Sequence, residues 1–121
     1  MKLTIKSSNL KVTPETQEYF EKRLETLGRF FNIEHDSVQV HAELSRDTHH
    51  KKGEVFKAEV KLSSGSHHYF AKAEGYDLFG AIDLVKDELM REVKTNKEKR
   101  RSLFRRGATR IKSLLRLGRE S

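Results

Sequence analysis

The chain has no cysteine, which excludes disulfides, thiolate nucleophiles and zinc–thiolate centres. It has no apolar run of the length that crosses a bilayer. Its N-terminus, MKLTIKSSNLKV, lacks the apolar stretch of a signal peptide, so a cytoplasmic protein of bacterial type is expected. Hydrophobic residues are also scarce, 35% of 121 residues against 36% charged. One modest core and a single domain fit this balance, with part of the chain lying outside that core. No phosphate-binding glycine loop, nucleophile–base pairing or paired-carboxylate pattern is present. Neither an enzyme nor a cofactor is expected.

What is abundant is positive charge, and it is concentrated. Residues 91–121 hold twelve Lys/Arg against three acids, whereas residues 1–90 hold thirteen against fifteen. The first part is therefore near neutral, and the last quarter carries a net +9. Such a block is the footprint of a polyanionic partner, nucleic acid above all. The plainer alternative is a solvated basic tail.

Hydrophobic periodicity gives the element order. Leu3 and Ile5 alternate with Lys2, Thr4 and Lys6, a half-buried strand over Lys2 to Asn9. Thr13-Pro14-Glu15 combines an N-cap, a proline at the first helical position and an acid in the first turn. Phe20, Leu24, Leu27 and Phe31 then form one apolar stripe, predicting a helix of about four to five turns that weakens at Gly28 and ends near Asn32. Val38, Val40, Ala42 and Leu44 mark a second strand over Ser37 to Ser45, followed by a polar loop from Arg46 to Gly53. Phe56, Ala58, Val60 and Leu62 mark a third strand; after a turn at residues 63–66, Tyr69, Ala71 and Ala73 mark a fourth. Short connections predict an antiparallel meander for these three. Asp77 is the expected N-cap of a second helix with the stripe Leu78, Ile82, Val85, Leu89 and Val93. Past Val93 the stripe ends, and the basic end of this helix is expected to project into solvent. The expected fold is α+β, a two-layer sandwich in the order β-α-β-β-β-α. Its four-stranded sheet has two helices on one face, similar to a double-stranded RNA-binding domain. Two parts are expected, a domain over 1–101 and a basic tail over 102–121.

The second helix opens with Asp77-Leu78-Phe79-Gly80-Ala81-Ile82-Asp83. This resembles the D-x-Y-x-A-I-D motif of the ribosome hibernation factors, also called ribosome-associated inhibitors or sigma-54 modulation proteins, with phenylalanine in place of tyrosine. Leu89, Arg91, Lys94, Lys97 and Lys99 resemble the leucine, arginine and spaced lysines that follow in the family. Thr13-Pro14, Lys22-Arg23-Leu24, Leu27 and Arg29-Phe30-Phe31 resemble its first helix, and Lys51 to Val55 its H-K-x-E-V segment. The resemblance covers about residues 1–101. It implies a protein that binds ribosomal RNA of the small ribosomal subunit in the decoding channel, where messenger and transfer RNA would lie. It also implies inhibition of translation without catalysis in stress or stationary phase. Three features depart from the family. Glu88 stands where many members have lysine, and Gly28 where a helix former is usual. Long members also carry a C-terminal domain that pairs two ribosomes; this sequence is expected to be too short for it, and a self-made ribosome dimer is not expected.

The candidate RNA-binding residues are Lys22, Arg23 and Arg29 on the first helix and Lys86, Arg91, Lys94, Lys97, Lys99, Arg100 and Arg101 on or after the second. Arginine's planar fork holds a phosphate bidentately, and spaced cations suit an A-form backbone read by shape. Asp83 and Asp87, four residues apart, are read as surface partners of Lys86 and Arg91 rather than as a catalytic pair. His49-His50 and His67-His68 flank opposite ends of the third strand, roughly 30 Å apart, too far to share a metal, so no metal site is expected. His49, His50, Lys51 and Lys52 form a polar loop able to touch RNA. Ile111, Leu114, Leu115 and Leu117 with interspersed arginines make a short amphipathic stretch. Its alternative use is on a membrane or a protein partner, although no membrane is the expectation.

Overall fold

The structure, a computed structural model, describes residues 1–29, 37–48 and 53–96. The expectations for Phe31, Asn32, the loop 49–52, the projecting end of the second helix and the tail lie outside these residues. Strand β1 spans Lys2–Ser8, helix α1 Pro14–Glu25 and a 3-10 turn Thr26–Arg29. Strands β2 (Val38–Asp47), β3 (Val55–Ser64) and β4 (His67–Gly75) follow. Helix α2 occupies 78–96 of the described residues. The four strands lie in the order β1-β2-β3-β4. β1 runs parallel to β2, with Ile5 beside Ala42, and the other two pairs are antiparallel. The meander and the α+β two-layer class are as the sequence predicts.

Alternation places one side of every strand in the core. Val38, Val40, Ala42 and Leu44 meet Ala58, Val60, Leu62, Tyr69 and Ala71 beneath both helices. Phe20, Leu24 and Leu27 descend from the first helical segment, and Ala81, Ile82, Val85, Leu89 and Val93 from α2. These are the predicted stripes over the described residues, with Ala81 added and Leu78 only partly buried at the core's margin. Phe56 lies at the core's margin, and Val55 is buried outside the core cluster.

The caps are those the sequence announces. The Thr13 hydroxyl accepts from Thr16 N at 3.1 Å, and Asp77 Oδ1 accepts from Gly80 N at 2.6 Å. Each satisfies an orphan first-turn amide. Gly75 is required where β4 turns into α2, because a Cβ there would lie 3.0 Å from Ala81 N. Gly65 opens the two-residue β3–β4 loop at φ +62°, a left-handed position that glycine takes without strain.

Three boundaries differ from expectation. Ser63 and Ser64, expected in the turn, extend β3 and pair with His68 and His67. The first helix keeps its α-form only to Glu25 and tightens into a 3-10 turn that still delivers Leu27 to the core. The Thr26 hydroxyl donates to Arg23 O at 2.6 Å, a side-chain bond that competes with the helical ladder just before Gly28. Strand β2 also runs two residues beyond Ser45, where Arg46 pairs with Phe56 and Asp47 with Val55. Polar composition had marked these two as loop, but a ladder partner decides strand ends.

Candidate nucleic-acid interface

β1 and β4 point the same way, because one parallel and two antiparallel pairings separate them. Helices α1 and α2 each follow one of these strands, so both start at the same end of the sheet and run side by side in one direction. The cations of both helices are weighted toward their C-terminal halves: Lys22, Arg23 and Arg29 in one, Arg91 and Lys94 in the other. Parallel packing therefore gathers them at one end of the helical layer, where the helix dipoles also favour positive charge.

Six of the ten candidate residues are described. Arg29 and Lys94 are exposed and have no ion-pair partner among the described residues. Lys22 is exposed and pairs with Glu18 at 3.1 Å. Arg91 pairs with Glu88 at 3.1 Å, so the glutamate that departs from the family pattern also offsets a neighbouring arginine. Lys86 pairs with Asp87, and only 16% of its side chain is exposed. The exposed pairs of Lys22 and Arg91 are weak and exchange readily for a phosphate. Lys97, Lys99, Arg100 and Arg101 lie outside the described residues.

Arg23 differs from the others. Its Nε lies 2.9 Å from Asp83 Oδ1 on the neighbouring helix. Its Nη2 donates to the Tyr19 hydroxyl at 3.0 Å, and the Tyr19 hydroxyl donates to Asp83 Oδ1 at 2.8 Å. The guanidinium carbon sits 4.8 Å from the Tyr19 ring centre. The Tyr19 hydrogen bond, then the Asp83 charge, raise its already high pKa. Phe79 completes the cluster, its ring 4.6 Å from Tyr19 at 72°, an edge-to-face pair. Arg23 is thus first a strut between helices. Asp83 reaches across to α1 instead of pairing with Lys86 or Arg91 along its own helix, which corrects the local reading of that aspartate.

The motif at residues 77–83 now has a physical explanation. Asp77 caps the helix, Phe79 stacks on α1, Ala81 and Ile82 enter the core, and Asp83 ties the helices together. Tyr19 was the residue missed. It sits between Glu18 and Phe20 on the flank of the apolar stripe, and its partner Asp83 lies 64 positions away. Among the described residues no group of three His, Asp or Glu is placed to hold a metal. No described helix is long and apolar enough to cross a membrane.

Parallel helices over one face of a β-α-β-β-β-α sheet, with cations gathered along them, define a class of small two-layer α+β domains that present positive charge from a helix pair. Within that class the chain belongs to the sigma 54 modulation protein / S30EA ribosomal protein family, whose model matches residues 3–101. It is 30% identical over 99 residues to a ribosome hibernation promotion factor of Picosynechococcus, covering 82% of this chain and 50% of that protein. It is 30% identical over 100 residues to a ribosome hibernation promoting factor of Klebsiella oxytoca, covering 82% of this chain and 96% of that one. The chain therefore spans about half the length of the first relative and nearly all of the second. The crystal structure of the Thermus thermophilus Protein Y N-terminal domain superposes with a TM-score of 0.61 at 28% identity, over 78% of this chain and 93% of that one.

Proposed function

We propose that this chain is a ribosome hibernation factor of the cytoplasm. It binds ribosomal RNA of the small ribosomal subunit in the decoding channel and stops translation by occupying the path of messenger and transfer RNA. It acts by occupancy, without catalysis. The observation that carries the reading is the family match over residues 3–101, with relatives named for ribosome hibernation. The surface chemistry agrees: Arg29 and Lys94 stand exposed at one end of two parallel helices, and the net +9 segment begins at Arg91. Residues 1–101 form the ribosome-binding domain, and 102–121 add a basic segment to it.

The test is sedimentation of the protein with separated ribosomal subunits across a salt series, beside inhibition of a translation extract. Binding to the small subunit is expected, with log affinity falling by about 0.7 to 0.9 per phosphate contact for each unit of log salt. Inhibition is expected to track the fraction of ribosomes occupied, with ribosomal RNA intact. Salt-independent binding, preference for the large subunit, or inhibition well below stoichiometry with cleaved RNA would each defeat the proposal.

A further inference from the structure

The helices cover one face of the sheet; the other face carries a built surface of its own. On β4 the inward residues are Tyr69, Ala71 and Ala73, and the outward ones His68, Phe70, Lys72 and Glu74. Phe70 is the aromatic residue among polar neighbours, and it is 45% exposed. Across the strands its row continues through Lys61 and His41 to Thr4. The row beside it reads Lys72, Glu59, Glu43 and Lys6. A concavity of about 350 Å³ lies over these rows, lined by Phe70, Lys61, His41, Thr4, Lys6 and the two glutamates among others. Four strands at about 4.8 Å spacing make each row roughly 14 Å across, wider than one base.

The composition selects the occupant. A groove that only tracks a nucleic-acid backbone needs cations and would be weakened by carboxylates. A seat that holds an unpaired base needs three things together. These are a ring to stack on, a cation for the adjoining phosphate, and an acceptor for the base's exocyclic amine. Phe70 supplies the first, Lys61 and Lys6 the second, and Glu59 the third. Glu43 and Glu59 stand directly opposite each other, each with a lysine on its other side; a bound amine donor would add to the relief of this like-charge contact. We infer that the outer face of the sheet is a second nucleic-acid contact, a seat for an unpaired, amine-bearing base of single-stranded RNA. The inference stands apart from the helical surface, and either one can fail without the other.

The probe is a six-residue adenylate RNA, titrated at low salt into the isotope-labelled full chain and followed by amide NMR shifts. The expected result is movement at His41, Lys61 and Phe70. Phe70→Ala should weaken binding about tenfold, the order of one lost base–aromatic stack, and Phe70→Tyr should restore it. A six-residue uridylate RNA, lacking the amine, should bind more weakly. Lys61→Glu, at a solvent-exposed position, checks the site independently should Phe70→Ala disturb folding; it too should weaken binding. The double variant Arg29→Ala/Lys94→Ala should leave these sheet-face shifts in place. Shifts confined to α1 and α2, or full affinity in Phe70→Ala and Lys61→Glu, overturn the proposal. Small-subunit binding of the same variants reports on the helical surface separately.

Discussion

Tyr19→Phe separates the structural from the RNA-binding reading of the inter-helix cluster. The substitution keeps the ring, and with it the edge-to-face contact to Phe79 and the face under Arg23. It removes one hydroxyl that accepts from Arg23 and donates to Asp83. Because Nε of Arg23 still reaches Asp83 directly, neither partner is orphaned, and the cost should be that of ordinary partly exposed hydrogen bonds, about 1 kcal/mol. For a domain of this size that lowers Tm by roughly 4–6 °C. Tyr19→Ala also removes the aromatic pair and the ring's partial burial, and should cost about 2–3 kcal/mol. The assay is thermal and urea unfolding followed by far-UV circular dichroism, with small-subunit binding measured on the same samples at a temperature where all variants are folded. Tyr19→Phe should bind within about twofold of the parent, since the hydroxyl faces its two protein partners. Unchanged melting in both variants, or a large binding loss in Tyr19→Phe without a stability loss, would refute the view that these residues serve chiefly to tie the helices.

Leu89→Ala, at a fully buried position on α2, should cost about 2–5 kcal/mol, measured by urea unfolding. Gly75→Ala should destabilise by about 1–3 kcal/mol through overpacking, because the new Cβ would meet the Ala81 backbone at 3.0 Å; a melting curve reads it. Arg29→Ala/Lys94→Ala removes two exposed cations and should leave melting nearly unchanged. It should also reduce the salt slope of small-subunit binding by about 1.5, two contacts at 0.7 to 0.9 each. An unaltered slope would take the helical surface out of the interface.

Much of this molecule is determined locally and can be read along the chain. Thr13-Pro14 and Asp77 start the helices because capping needs only an oxygen placed two or three residues before an orphan amide. Val38 to Leu44 and Ala58 to Leu62 declare their buried faces because a strand's side chains alternate whatever it packs on. The charge block after Arg91 is visible as composition alone. Other features depend on neighbours distant in sequence, and only the tertiary structure decided them. Arg46 and Asp47 became strand because Phe56 and Val55 lie across from them. Arg23, a cation like Lys22 beside it, became a strut because parallel packing of α1 and α2 brought Asp83 within 2.9 Å. Lys22, one helical step away, faces solvent and pairs with Glu18 of its own helix. The outer row of Thr4, His41, Lys61 and Phe70 likewise exists only through strand register. Periodicity states which side of an element is polar, but the pairing of elements states which polar residues meet.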